Sequence, residues 1–249
     1  MAADERPAPS WSRDEMRPAG RISSMRVGTI FLVLIAIAAA ALSAPILGSR
    51  LFYQRVDYSF RLTLAVDVDG TTREASGVIR IVQRLPPRWL EHLFNLETHV
   101  DGEAVFLDLG NRRNVIETMA FGSNGRGDLL YGLVSRAFHV SIFGDDARLP
   151  PIGAQAELVG EDIPTLVSFA DVKDPSTARV VRPQEFSEVF GQGVKFRSAR
   201  IEMTDAPVTR EIEKELPLIS ILRERALKGN LRYGIEFTPI LSDFVRREI

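Results

Sequence analysis

The chain has 249 residues, a formal net charge of −2 and no cysteine. The missing thiols exclude disulfides, thiolate catalysis, cysteine-held iron–sulfur clusters and a lipobox acylation site, so stability must come from a hydrophobic core. Its 31 basic and 33 acidic residues nearly balance, which leaves no electrostatic footprint for nucleic acid.

Only Lys173, Lys195, Lys214 and Lys228 among the basic residues are lysine, and the arginine- and alanine-rich remainder points to a GC-rich bacterial genome. In chain order, residues 1–26 mix alternating charges with Pro7, Pro9 and Pro18. Such a segment cannot bury a core and reads as a disordered cytoplasmic tail. Residues 27–49 then run for 23 positions without a charged side chain, between Arg26 and Arg50. A helix of that length reaches roughly 34 Å, enough for a hydrocarbon core of about 30 Å. It is apolar at every angle from Ile30 to Leu42, which water disfavours and lipid accepts.

Small residues at Ala41-Leu42-Ser43 and Leu42-Ser43-Ala44 also offer signal-peptidase spacing, and a start at Met25 would leave a conventional signal peptide. The long leader and the continuation of the apolar run through Ile46 and Leu47 favour a retained anchor. Arg6, Arg13, Arg17, Arg21 and Arg26 precede the helix, against Arg50, Arg55 and Arg61 after it. That bias keeps the amino terminus cytoplasmic and places the rest in the periplasm, single-pass in a bacterial inner membrane.

After a linker at 50–57, residues 58–249 read as one α+β domain, β-rich and antiparallel with a more helical C-terminal part. Tyr58, Phe60, Leu62, Leu64, Val66 and Val68 alternate with polar residues as a half-buried strand does. Asp69-Gly70 predicts a tight hairpin turn into a returning strand from Arg73 to Gln83. Strands are expected again at Leu93–Val100, Glu103–Leu109 and Asn114–Phe121, with hairpin turns at Asp101-Gly102 and Gly110-Asn111.

Asp128 is placed to cap a helix burying Leu129, Leu130, Leu133, Val134 and Ala137. Phe138–Phe143 looks extended, and further strands are expected at 155–159, 165–169, 178–181 and 194–203. Pro183 suits the first turn of a short helix that Gly191 ends. Val208, Ile212, Leu216, Ile219 and Leu222 recur on one helical face, split or kinked by Pro217. A strand at Tyr233–Phe237 and a terminal helix starting at Thr238-Pro239 complete the expected elements.

The catalytic options are few. His92 and His99 stand seven residues apart, which puts them on opposite faces of one strand and prevents a shared metal. With His139 they could serve a periplasmic hydrolase beside a carboxylate, but no nucleophile elbow or phosphate loop is present, and "GQGVKF" lacks a full dinucleotide fingerprint. Asp101, Glu103 and Asp108 read as solvent-facing carboxylates at hairpin turns. No metal and no cofactor is expected. Phe169, Asp171, Asp174, Thr204, Asp205 and Thr209 cluster polar groups at strand ends, where a partner could meet them, although Asp174-Pro175 and Thr204-Asp205 also fit turn chemistry.

The segments "LVSFAD", "DP", "FGQGV" and "TDAPVT" resemble a family of uncharacterised single-pass envelope proteins of proteobacteria, over residues 58–216. The resemblance implies compartment and a single-domain architecture and carries no activity. The expectation is a non-enzymatic, membrane-tethered periplasmic module that meets the bilayer through residues 27–49 and an envelope protein through a sheet edge or the loops at 168–175 and 204–209. The alternatives are the histidine hydrolase, or an accessory subunit whose helix packs through the small residues of "AIAAAA".

Overall fold

The computed structural model describes Leu32, Ile35 and residues 54–86, 95–122, 125–144, 146–228 and 238–247. Two compact units divide the chain, Met1–Leu51 and Phe52–Ile249. In the first, Leu32 and Ile35 are helical and exposed; the rest of the 27–49 stretch lies outside the described residues. Among the described residues no helix is long and apolar enough to cross a membrane. The second unit is a β-rich, antiparallel α+β domain.

That domain starts from a long hairpin. Strands β1 (Gln54–Val68) and β2 (Thr71–Leu85) pair along their whole length around Asp69-Gly70. Both turn residues have positive φ, 51° and 83°, the geometry in which a two-residue turn matches strand twist. The even residues of β1 from Val56 to Val68 are all buried, as the alternation predicts, and the strand begins four residues earlier than that pattern.

β3 (Glu97–Glu103) pairs with β2, and β4 (Val105–Gly110) opens a second sheet. Asp101-Gly102 is therefore no hairpin turn. It lies inside β3, and the chain changes sheets at Ala104, whose N–H donates to the Phe244 carbonyl at 2.8 Å. The glycine serves close approach, because a Cβ at Gly102 would stand 2.8 Å from the Ile79 side chain. The turn into β5 (Arg113–Phe121) falls one residue beyond the expected Gly110-Asn111: Gly110 still pairs with Arg113, and Asn111 and Arg112 make the turn with φ of 55° and 62°.

Asp128 begins a 3-10 turn (Asp128–Gly132) instead of capping it, and its carboxylate accepts from Arg126 at 2.8 Å. Helix α1 (Leu133–Phe138) ends on His139 in the left-handed conformation, so residues 138–143 are a helix end and an irregular loop, not a strand. β6 (Gln155–Glu157), β7 (Pro164–Phe169), β8 (Ala178–Val180), α2 (Phe186–Phe190) and β9 (Val194–Thr204) fall where the sequence placed them. Pro217 splits the next helix into α3 (Ile212–Glu215) and α4 (Leu218–Leu227). The expected strand at 233–237 lies outside the described residues.

The terminal helix is a correction. A 3-10 turn at Leu241–Asp243 leads into β10 (Val245–Arg247), which pairs with β3. The helical spacing did locate buried side chains, Phe244 and Val245, but the backbone groups on β3's outer edge need a strand partner.

The strand orders are β10-β3-β2-β1-β9-β6 and β4-β5-β7-β8. The inner face of the first sheet meets one face of the second through two apolar clusters. Helices α3 and α4, with Phe244, cover the other face through Ile116, Val167 and Phe169. Sheet, sheet and helices therefore form three layers, and β5 is buried from Asn114 to Phe121.

Within β5, Asn114 both donates to the Phe169 carbonyl at 2.8 Å and accepts from its amide at 2.9 Å. Thr118 donates to the Thr165 carbonyl at 2.8 Å, where the β5–β7 register shifts. Glu117 has no such answer. Strand alternation puts it on the face of Val115, which joins one cluster, and of Met119, which joins the other. Both its carboxylate oxygens are buried without a hydrogen-bond partner.

Burial pushes the Glu117 carboxyl from 4.5 up to about 8. A folded-state value above the unfolded one means that stability is fully present below about 4.5 and falls as pH rises toward about 8. At pH above both values the cost is roughly 5 kcal/mol. Urea unfolding of the full chain should therefore show stability declining between pH 5 and 8.5. Glu117→Met should flatten that decline and be the more stable protein at pH 8.5.

Candidate functional site

Unequal strand lengths create the most chemically distinctive surface. β1 covers all 15 residues of β2 on one side, but β3 covers only Arg80–Arg84 on the other. β3 cannot follow β2 further because it leaves for the second sheet after Glu103. Thr209 takes the vacated position: its N–H donates to the Val78 carbonyl at 3.4 Å, and the Val78 N–H donates to its Oγ1 at 3.1 Å. Below this point no described strand pairs with the outer side of β2. Because backbone groups alternate in direction along a strand, Thr72, Glu74 and Ser76 present theirs on the same side as Val78.

β4 stands at the edge of its own sheet and faces the same space. One of its outward carbonyls, that of Asp108, accepts from Arg73 Nη1 at 3.1 Å. Between the two edges runs a groove of about 710 Å³, lined by residues 73–77, 103–108, Thr209, Glu211, Ile212 and Glu215.

The lining is acidic, with Glu74, Glu103, Asp108, Glu211 and Glu215 against Arg73. Some of this charge is answered locally. Glu74 meets Arg200 at 3.4 Å and Glu211 meets Lys214 at 3.3 Å. Asp108 Oδ1 accepts from the Gly110 amide at 2.8 Å. Glu103 is the exception in burial, only 4% exposed. Its Oε1 accepts from the amides of Glu211 and Ile212 at 2.5 and 3.2 Å, which fixes the start of α3, while its Oε2 is buried without a partner.

Two of the three carboxylates read from sequence as solvent-facing turn residues are therefore structural, while Asp108 stays exposed beside its turn. Asp101 and Glu103 lie within β3, and Asp101 is held by Arg210 at 2.6 Å.

Of the six residues singled out from sequence, the groove includes Thr209. Phe169 is in the core, its ring 6.0 Å from that of Phe244. Asp171 accepts from the Lys173 amide at 2.9 Å, and Asp174 accepts from the Ser176 amide and hydroxyl at 2.8 and 2.7 Å. Those bonds hold the Asp174 carboxyl below its usual value. Thr204 Oγ1 accepts from the Ala206 amide at 3.2 Å, and Asp205 is exposed.

Sequence reasoning missed Glu74, Ser76 and Glu103 as groove residues. The available signal was the polar run Thr71 to Ser76 at the start of a strand whose next partner is much shorter.

The histidines sit elsewhere. His92 lies outside the described residues. His99 stands on β3 opposite Val82, and His139 ends α1. Neither lines this groove or the clefts beside β7 and α4. Among the described residues no group of three or more His, Asp or Glu side chains is arranged to hold a metal ion.

Thr209→Val should leave the Val78 amide without its acceptor at a cost of about 1–2 kcal/mol. Thr209→Ser should restore it. Hydrogen exchange at Val78 measures both: faster in the first variant, near wild type in the second. A scan against protein-family models and searches of curated proteins and of solved structures find no match to this chain.

Proposed function

We propose that this chain is a non-enzymatic, membrane-tethered binding or assembly module of a bacterial envelope. Residues 27–49 act as a single-pass signal anchor in the inner membrane, the amino terminus stays cytoplasmic, and the β-rich domain works in the periplasm. The tether rests on the charge-free stretch and on the arginines that precede it. The resemblance to proteobacterial envelope proteins points the same way.

The observation that carries the binding role is the groove itself. Open edges of two different sheets face one space, and an unpaired edge is a template for another chain. Natural domains usually cover such edges or interrupt them with proline, and the described stretch Thr71–Gly77 contains no proline.

Topology has a direct test. Protease added to spheroplasts should digest the domain without lysis. A domain protected until lysis would place it in the cytoplasm and defeat the tethered-module reading.

A further inference from the structure

We infer that the occupant of this groove is an extended, lysine- or arginine-bearing segment of a different protein, added as a strand to the outer edge of β2 at Thr72–Ser76. The inference deepens the binding role proposed above and rests on it.

The backbone supplies the first half. Thr72, Glu74 and Ser76 each direct one N–H and one C=O outward, over roughly 17 Å of strand at about 3.3 Å per residue. Thr209 already demonstrates this chemistry one step along, where its amide and hydroxyl satisfy both backbone groups of Val78. An extended peptide continuing past Thr209 would meet the same pattern, and main-chain pairing of this kind supplies affinity without sequence.

Charge supplies the second half. Five acidic residues and one arginine border the groove; Glu74 and Glu211 are paired with Arg200 and Lys214, which leaves Glu103, Asp108 and Glu215 without a basic partner among the described residues, and the one guanidinium is engaged with the Asp108 carbonyl. Glu103 is the anchor: one of its oxygens is spent on α3, and the other is a buried acceptor with no donor. Because that oxygen is closed to solvent, it acts through its field: a lysine ammonium or arginine guanidinium lying in the groove would be attracted by the carboxylate beneath it without touching it. The same lining excludes a second copy of this chain, since edge-to-edge pairing would bring two acidic grooves together.

The test uses the full-length chain in detergent and a fluorescent, terminally blocked decapeptide alternating lysine with valine. Anisotropy should report saturable binding that weakens at least tenfold when glutamate replaces lysine. N-methylation of alternate amides should cost at least tenfold in one of its two phases. Glu103→Gln keeps an acceptor for the α3 amides and should weaken binding about five- to tenfold with an unchanged melting temperature. No binding of the lysine peptide, equal binding of the glutamate peptide, or indifference to N-methylation in both phases would each overturn the inference.

Photocrosslinkers at Ser76 and at Asp171 in cells separate this failure from that of the parent reading. A partner captured at Asp171 and never at Ser76 sinks the strand addition alone. Capture at neither position sinks both.

Discussion

Strand β5 carries apolar side chains on both faces, and burying both requires a third layer. Val115, Met119 and Phe121 meet the six-stranded sheet, while Ile116 looks toward α3, α4 and Phe244. A fully buried side chain of this kind contributes about 1.5–3 kcal/mol, so the two faces together justify the chain's return after β9 to lay its helices over the smaller sheet. Asn114 and Thr118 let the strand do this without orphaned groups, each closing a gap in the β5–β7 ladder with a side-chain bond. Glu117 is the one polar side chain in the strand whose oxygens find nothing. It survives there by holding its proton, which makes the seam between two apolar clusters sensitive to alkali.

The same layering produces the groove. To supply the second sheet, β3 must abandon β2 after Glu103, and the abandoned edge has to be managed. Thr209 manages Val78, and Glu103 uses its own carboxylate to seat α3 against the corner. What is left over is an open edge with an acidic rim, next to the edge of β4. The groove is thus a by-product of the sheet-to-sheet crossover.

The long hairpin was legible in the sequence because its determinants are local: period-two alternation on β1 and a two-residue turn with positive φ. Pro183, Gly191 and Pro217 were legible for the same reason, since each acts on its own backbone. Asp101-Gly102 misled because the dipeptide that favours a turn is also the one that permits close approach, and only the position of Ile79 distinguishes them. The terminal segment misled because helical spacing and burial agreed while the backbone answered to a strand far away in sequence. Of the groove, the sequence carried only the polar run at the start of β2, because the opening itself depends on a length difference between neighbours in the sheet. Residue types showed carboxylates at Asp101, Glu103 and Asp108; which one would be enclosed is a property of the crossover.

The pairing of β10 with β3 joins residues roughly 140 positions apart, Val245 with Glu103 and Arg247 with Asp101. Closing so long a loop is entropically slow, whereas β1 and β2 are joined by two residues. Loop entropy therefore favours the hairpin as a local, early event and the outermost rung of the larger sheet as a late one. Until it closes, β3 presents an unpaired border, the kind of edge along which incompletely folded chains associate.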